Sequence, residues 1–542
     1  MWLLSTDRAE LHWFTDHTKI PAGGYALLSH TWEGEEQTFQ DTVVLKQKCK
    51  SLGKNPRDLA SLKVRNCCVL AERDGYRWVW IDSCCIDKTS STELSEAINS
   101  MFNWYSCAEV CYAYFADVPS DCVLDAPGSA FRMARWHTRG WTLQELLAPS
   151  LVVFLSQDWK CIGTKRSLAS LLTEIVPIRL DVLMHTTSVF VTSVAERMFW
   201  ASRRQTTRVE DEAYCLLGLF NINMPTIYGE GRRAFQRLQQ EIAKEYIDTS
   251  LFGWGAVHQM EGVGPVPLSE MWSYGYGPSR LDRYLFAPSP HFFYNAVVYT
   301  PEMLGGIQPY TRWQRKQLVS AVDPSAPILS STQCTRRHQG LPEEGPSDPT
   351  FGRSELPAFE MTSYGMKCRF PVADLGDFSV AILLWQIQDQ HFGLILHPTP
   401  DYEPHDPTRR RYYTSYALRH IGGTPDTPSR NSRLVPLGKD LYDLRCMGQH
   451  IQAEWRDIYI HAAPSQRYSS RFVHNLSRLQ LRDPTISPFR FPPWVSGSLE
   501  AIGLRHTGSS DVQQETVGER EDRKSTRLNS SHSGESRMPS SA

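Results

Sequence analysis

The chain has 542 residues, which is too long for a single hydrophobic core and predicts about three or four domain-sized units. Its 57 basic and 59 acidic residues give a formal charge of -2, so composition provides no positive field for nucleic acid or an acidic membrane surface. The 13 cysteines are odd in number and include the adjacent pairs Cys67-Cys68 and Cys84-Cys85. This pattern argues against a secreted disulfide framework and against a zinc ribbon, so we expect reduced thiols and no metal site.

The amino-terminal sequence has neither the basic segment nor the apolar run of a signal peptide. The longest apolar run, at 378–387, is roughly half of the ~20 residues that a membrane-spanning helix needs. We therefore expect a cytoplasmic protein with no membrane span and no nucleic-acid partner.

The first elements are predicted to be strands. The segment up to residue 18 fits an edge strand or short hairpin, and residues 25–29 read as a buried strand that ends at His30-Thr31-Trp32. A helix is predicted from Asn55-Pro56, a favourable cap and first position, to Asp74-Gly75. Its expected buried face consists of Leu59, Leu62, Cys67, Val69 and Leu70.

The stretch at 78–88 combines a short apolar strand with polar residues and no ordinary turn signal. Trp78-Val79-Trp80-Ile81 leads directly into Asp82, two cysteines and Asp87. A strand that delivers polar groups at its carboxyl end is a common way to build a site. We therefore treat residues 82–87 as a candidate edge of a functional site.

Strands and helices then alternate. Apolar residues from Leu94 to Tyr105 recur with helical spacing, residues 109–115 and 151–155 read as strands, and a short helix is predicted at 141–147. This order predicts a parallel sheet covered by helices on both faces. Ligands of such sheets bind beyond the carboxyl ends of the strands.

The rest of the chain divides by composition into a helical part and a mainly β part. We predict an α/β core at about 20–160, a helical extension at about 165–250, a linker at 251–290 and a mainly β domain at 291–500 with a loop at 320–357. We also predict a disordered tail at 501–521. The last segment, 522–542, closely resembles a translated sequencing-library adapter and is interpreted as an artefact.

Three ordered blocks carry a family resemblance. They are Tyr25-Ala26-Leu27-Leu28-Ser29-His30-Thr31-Trp32, then Trp80-Ile81-Asp82-Ser83-Cys84-Cys85-Ile86-Asp87-Lys88, then Arg139-Gly140-Trp141-Thr142-Leu143-Gln144-Glu145. In this order they resemble the fungal heterokaryon-incompatibility (HET) domain, with further similarity through 203–241. Family members place Gly directly after the Trp of the first block, whereas here Glu33 precedes Gly34.

The resemblance implies a module that triggers programmed cell death when genetically different fungal cells fuse. It also implies a fold similar to Toll/interleukin-receptor (TIR) domains, a flavodoxin-like parallel sheet. Because some TIR domains cleave NAD with a Glu at the sheet edge, Glu145 is the candidate catalytic residue and NAD the candidate substrate. No cofactor is expected to be required, and protein partners or self-association are expected.

Ten further residues are candidate ligand-binding or motif residues. They are Ser29, His30, Trp32, Asp82, Cys85, Asp87, Arg139, Gly140, Trp141 and Gln144. A structural role is also open for some of these residues and for Glu145. It is a capping carboxylate for Glu145 or Asp82, a structural hydrogen bond for His30, packing for Cys85 and a core position for the tryptophans.

Two other function classes stay open. The first is a non-enzymatic scaffold that signals by oligomerisation. The second is a cysteine hydrolase with Cys85 as nucleophile, His30 as base and Asp82 as the orienting carboxylate.

Overall fold

The structure is a computed structural model. It describes residues 1–15, 20, 24–255, 263–265, 284–294, 308–309, 357–376, 378–387, 390–399, 411–414, 416–420, 430–440 and 443–462. The predicted tail at 501–521, the adapter-like segment at 522–542 and residues 320–356 of the predicted loop lie outside these ranges. All described residues belong to one compact unit, Met1–Pro464.

The amino-terminal part is built on a mixed seven-stranded sheet with the order β2-β1-β4-β3-β5-β6-β7. Its strands are β1 (Trp2–Ser5), β2 (Leu11–Trp13), β3 (Ala26–His30), β4 (Trp78–Ile81), β5 (Val110–Tyr114), β6 (Val152–Leu155) and β7 (Cys161–Thr164). The central strands β4, β3, β5 and β6 are mutually parallel. The predicted parallel sheet is therefore confirmed, and the opening segment forms the predicted hairpin as its antiparallel edge.

The order of the four parallel strands is informative. Counted along the chain they lie in the order 2-1-3-4, because β4 is on one side of β3 while β5 and β6 are on the other. Connections therefore leave β3 and β5 in opposite directions, which opens a crevice at the carboxyl ends of these two strands.

Helices α1 (Phe39–Leu52), α2 (Pro56–Leu59) and α3 (Leu62–Arg73) connect β3 to β4. The predicted single helix from Pro56 is wrong in one respect, since it breaks at Ala60 and restarts with Ser61 as cap. The predicted apolar face is also wrong in part: Leu59, Leu62 and Val69 are exposed, whereas Cys67 and Leu70 are buried.

Helix α4 (Ser91–Cys107) follows β4 and matches the predicted periodicity. Its buried residues include Ala97, Ile98, Met101 and Tyr105, which pack on the sheet. Between β5 and β6 lie α5 (Ala130–Met133), a short 3-10 helix (Arg135–Thr138) and α6 (Thr142–Leu147).

A mainly helical segment, the helical extension, follows β7. It consists of α7 (Ala169–Ile175), α8 (Leu180–Leu183), α9 (Val194–Ala201), α10 (Asp211–Tyr214) and α11 (Arg233–Glu245), with 3-10 helices at Val189–Val191, Gly218–Phe220 and Thr249–Phe252. Every residue of α9 is buried, because this helix lies between other elements.

The carboxyl-terminal described part is mainly β. Its strands are β8 (Val263–Pro265), β9 (Gln308–Pro309), β10 (Ala358–Thr362), β11 (Gly365–Asp374), β12 (Ser379–Ile387), β13 (Gln390–Pro398), β14 (Arg411–Thr414), β15 (Tyr416–His420), β16 (Arg430–Ser432), β17 (Leu434–Gly438), β18 (Arg445–Cys446), β19 (Gln449–His450) and β20 (Glu454–Ile460). The predicted strand from His291 is wrong in its described part, which is a 3-10 helix at Pro290–Phe293.

The β-rich part packs directly on the helical extension. The described residues of the predicted 251–290 linker are largely buried, and the indole of Trp254 donates to Leu285 O at 3.0 Å. The buried guanidinium of Arg433 lies 3.8 Å from the Trp254 ring centre and donates to Tyr284 O at 2.8 Å. Helical and β-rich parts therefore share one core. Within the described ranges, no helix is long and apolar enough to cross a membrane.

Candidate functional site

The three sequence blocks meet at the carboxyl edge of the parallel sheet. Strand β3 carries Ser29 and His30 at its end, and the neighbouring strand β4 leads into Asp82. Helix α6, in the connection between β5 and β6, carries Glu145 over the same edge. The site therefore occupies the crevice beside β3 that the strand order creates.

A buried hydrogen-bond network forms the inner part of this site. Ser29 Oγ lies 2.5 Å from Glu145 Oε2, and Trp136 Nε1 donates to the same hydroxyl at 2.7 Å. Tyr105 also hydrogen-bonds the Glu145 carboxyl. Ser29 is fully buried and Glu145 is 7 % exposed, so the pair is shielded from bulk water.

Glu145 has a strongly perturbed acidity. Burial raises the pKa of its carboxyl to about 8, and the negative charge of Asp82 acts in the same direction. The hydrogen bonds from Ser29 and Tyr105 and the positive charge of Arg204 lower the pKa but do not outweigh burial. At neutral pH most Glu145 side chains are therefore protonated in the free protein.

Asp82 and Trp32 form the outer, solvent-facing part. The indole Nε1 of Trp32 donates to Asp82 Oδ2 at 3.0 Å, and Trp32 is 45 % exposed. The ammonium of Lys88 lies 3.8 Å from the Trp32 ring centre and 4.0 Å from Asp82 Oδ2. The predicted core position for Trp32 is thus wrong, because this ring is held at the surface.

His30 lies between two carboxylates. Its buried imidazole is 3.8 Å from Asp82 Oδ1 and 3.6 Å from Glu36 Oε2. Lys63 also pairs with Glu36, at 2.5 Å, and these partners lower the pKa of Glu36 to about 2 despite its partial burial. Glu36 and Lys63 were not among the predicted site residues.

The third block anchors the helix of Glu145 to neighbouring segments through one backbone hydrogen bond and several side-chain contacts. Gly140 N donates to Gln205 O at 2.9 Å, and Gln144 Nε2 contacts Met101 Sδ at 3.2 Å. Trp141 hydrogen-bonds Asp211, and Arg139 Nη1 donates to Thr207 Oγ1 at 3.2 Å. These four predicted residues therefore contact the α4 and 205–211 segments rather than Asp82 or Trp32.

Asp87 has a local capping role. Its carboxylate accepts from Thr89 N at 2.9 Å and from Gln40 Nε2 at 2.6 Å, and the Thr89 hydrogen bonds lower its pKa. Its own amide donates to Glu93 in the first turn of α4 at 2.9 Å. Asp87 thus orders the loop that follows Asp82.

The thiol of Cys85 points into the protein. It is 2 % exposed and its sulfur accepts from Ile81 N at 3.4 Å. The imidazole of His30 faces Asp82 and Glu36, and among the described residues no hydrogen bond or ion pair joins it to Cys85. The arrangement does not resemble a thiol–imidazole pair.

The described part of the chain has a cavity that lies away from these blocks. A cavity of about 320 Å³ lies at the opposite, amino end of β4, where Tyr76 and Trp78 contribute to its lining. No cluster of His, Cys, Asp or Glu suited to a metal ion occurs in the described part of the chain.

Sequence reasoning missed Trp136, Tyr105 and Arg204, which contact or electrostatically influence the buried pair. Tyr105 was identified only as a helix core position. In the sequence, Arg203-Arg204 is only a short basic run, which is typical of a solvated or salt-bridged surface. For Trp136 the sequence contains no signal beyond its place just before the third block.

Comparisons with known proteins identify the amino-terminal region. Residues 25–128, which include the first two blocks, match the family model "Heterokaryon incompatibility protein (HET)", and residues 233–303 match "Domain of unknown function (DUF8212)". The chain is 45 % identical over 236 residues to the vegetative incompatibility protein HET-E-1 of Podospora anserina. That match covers 42 % of this chain and only 16 % of the relative's length. No solved structure matches the chain. The amino-terminal region of this chain is therefore similar to HET domains, and the chain spans about a sixth of the length of the relative that it matches.

Proposed function

We propose that this chain is an effector of fungal heterokaryon incompatibility whose HET domain triggers cell death by cleaving NAD or a related nucleotide. The family match and the printed name of the Podospora relative support the incompatibility role. The 2-1-3-4 order of the parallel strands supports a flavodoxin-like, and thus TIR-like, core.

The observation that carries the catalytic part is the placement of Glu145. Its carboxyl lies at the carboxyl edge of a parallel sheet, 2.5 Å from Ser29, with Asp82 close enough to raise its pKa. Two carboxyl groups with different environments are a common basis of acid–base and charge-stabilising chemistry.

The proposed reaction breaks the bond between ribose C1′ and the nicotinamide nitrogen. The bonding electron pair leaves with nicotinamide, which becomes neutral, and C1′ takes on oxocarbenium character. Water then adds to C1′ and releases one proton. A positively charged nicotinamide riboside beside Glu145 favours its ionised form, so that Glu145 and Asp82 can both stabilise the developing cation.

The outer part of the site suits the remainder of a dinucleotide. Trp32 offers an exposed ring against which a base can stack. Lys88 lies over that ring, and Arg135 donates to Trp32 O at 3.2 Å. These two cations provide partners for the pyrophosphate.

The test uses the purified full chain and the variants Glu145→Gln, Asp82→Asn and Glu35→Gln. Glu35 is exposed and serves as a matched control. Because Glu145 is mostly protonated at pH 7, its amide analogue preserves size and neutral charge. We expect at least 100-fold slower NAD turnover in Glu145→Gln, a loss in Asp82→Asn and wild-type turnover in Glu35→Gln. Wild-type turnover in Glu145→Gln contradicts the catalytic role.

A non-enzymatic scaffold is the second candidate, and the burial of Glu145 favours it. A carboxyl that is 7 % exposed and hydrogen-bonded by Ser29 and Tyr105 also fits a purely structural role. Under this alternative Glu145→Gln still kills a fungal host on overexpression, and the wild-type chain turns over no NAD. Loss of killing in Glu145→Gln with unchanged folding favours the enzyme.

A further inference from the structure

Arg204 joins the helical extension to the helix that carries Glu145. It lies three residues after α9, and its Nη1 donates to Arg139 O at 2.8 Å and to Thr142 Oγ1 at 2.9 Å. Thr142 is the first residue of α6, and Arg139 lies three residues before it. One guanidinium nitrogen therefore holds the residues at the start of α6 together.

The same contacts continue to the buried carboxyl. Thr142 Oγ1 donates to Trp136 O at 2.5 Å, and the indole of Trp136 donates to Ser29 Oγ at 2.7 Å. Ser29 in turn bonds Glu145. A continuous path of side chains and one peptide group thus connects Arg204 to Glu145.

The charge of Arg204 is poorly neutralised by its surroundings. Its Nη2 is buried and finds no hydrogen-bond acceptor among the described residues. Burial lowers the pKa of Arg204 to about 10, so the guanidinium remains charged at neutral pH. Its field favours ionised Glu145, whereas Asp82 and burial oppose ionisation, and Tyr105 and the Cys111 thiol also face this carboxyl.

We propose that Arg204 is a positioning residue that holds the amino end of α6 and, through Thr142 and Trp136, the Ser29–Glu145 pair in place. The catalytic consequence rests on the proposed function, whereas the structural coupling does not. The helical extension, beyond the residues that match the HET family model, then forms part of the working site.

The experiment compares the full-length variants Arg204→Gln, Arg204→Lys and Arg203→Gln. Arg203 is the matched control, because it precedes Arg204 and stacks on Tyr294 at 4.1 Å instead of facing the site. The pKa of Glu145 is read from the NMR titration of glutamate 13C-labelled protein, assigned with Glu145→Gln. NAD turnover is measured across pH, and thermal unfolding reports folding.

We expect Arg204→Gln to raise the pKa of Glu145 and to lower the rate constant kcat at least tenfold. Arg204→Lys should keep the wild-type pKa because it keeps the charge. It should lower kcat because the lysine Nζ ends one bond short of Nη1, the arginine atom that makes both hydrogen bonds. Arg203→Gln should match wild type in both readouts.

An unchanged Glu145 pKa and turnover in Arg204→Gln overturns the proposal. If Arg204→Gln does not fold, Arg204→Lys provides the test. Its kcat must be lower than that of wild type while the pKa of Glu145 stays unchanged. Wild-type activity or a shifted Glu145 pKa in Arg204→Lys overturns the proposal. If the wild-type chain turns over no NAD, the proposed function fails, while the NMR titration still decides the coupling of Arg204 to Glu145.

Discussion

The Ser29 hydroxyl and the Glu145 carboxyl are 116 positions apart in the chain and 2.5 Å apart in the fold. Ser29 lies near the end of the central parallel strand β3, and Glu145 lies on helix α6 in the connection between β5 and β6. The bond therefore forms only when the sheet and this crossover are both in place. The pKa of Glu145 therefore depends on whether the site is assembled.

The first prediction concerns the pH dependence of stability. Burial raises the folded-state pKa of Glu145 to about 8 from an ordinary 4.5, so between these values the folded chain holds a proton that the unfolded chain releases. Stability contributed by this group is therefore lost as pH rises from about 4.5 to about 8 and is constant above that range. Over this pH range the free energy of unfolding of the wild-type chain should fall by roughly a few kcal/mol more than that of Glu145→Gln.

Urea unfolding at pH 5 and pH 8 measures this difference. Burial also raises the pKa of Glu196, to about 7. Glu196 therefore lowers the free energy of unfolding of both proteins by the same amount as pH rises, and its contribution cancels in the comparison. The exposed substitution Glu35→Gln should follow the wild-type pH profile. Parallel profiles for wild type and Glu145→Gln contradict a raised pKa.

The expectation that polar residues meet at the carboxyl ends of parallel strands predicted which sequence blocks come together. It did not predict the hydrogen bonds that hold these blocks in place. The parallel sheet followed from alternating apolar strands and helices, and it brings Ser29 and Asp82 to one edge. Trp136 and Arg204 could not be predicted, because their bonds to Ser29 and Thr142 depend on tertiary placement. Local sequence spacing contains no information on such contacts.

Local helix signals were similarly incomplete. Helix α1 escaped prediction because only Thr42 and Cys49 along it are buried, which leaves almost no apolar periodicity. Its start is set instead by a reciprocal cap between Thr38 and Asp41. The residues that break the 56–73 region are Ala60 and Ser61, and Ser61 caps the second helix.

The second prediction isolates the hydrogen bond between Trp136 and Ser29. Trp136 and Trp200 are both 1 % exposed, but the Trp200 indole nitrogen has no hydrogen-bond acceptor among the described residues. Each Trp→Phe change loses similar volume, and only Trp136→Phe also leaves the Ser29 hydroxyl without its donor. We expect Trp136→Phe to cost about 1–2 kcal/mol more than Trp200→Phe in chemical unfolding. Equal losses would show that this bond adds nothing to stability.

The third prediction distinguishes a thiol hydrolase from the proposed chemistry. Cys107 and Cys161 are exposed, whereas Cys85 is buried against the backbone of β4. An alkylating reagent should therefore label Cys107 and Cys161 before Cys85, and mass spectrometry of peptides identifies the sites. Cys85→Ser should retain turnover and killing. Rapid, selective labelling of Cys85 together with loss of activity in Cys85→Ser would instead favour the hydrolase.

The fourth prediction tests the packing of the third block on the 205–208 loop. A Cβ on Gly140 would lie 2.5 Å from Thr206 Cγ2 and 3.2 Å from Cys215 Sγ, so Gly140→Ala forces a neighbour to move. We expect Gly140→Ala to destabilise the chain by roughly 1–3 kcal/mol and to lower activity, because Gly140 begins the segment that leads to Glu145. Thermal and urea unfolding measure the loss.

The closest neighbour of that Cβ can be removed on its own. Thr206→Ser deletes Cγ2 but keeps the hydroxyl that donates to Arg208 O at 2.6 Å. The double variant Gly140→Ala/Thr206→Ser should recover at least half of the lost stability, while Thr206→Ser alone should change stability little. Additive losses in the double variant would show that Thr206 does not set the cost, which leaves Cys215 Sγ and Gln205 O as the neighbours of the added Cβ.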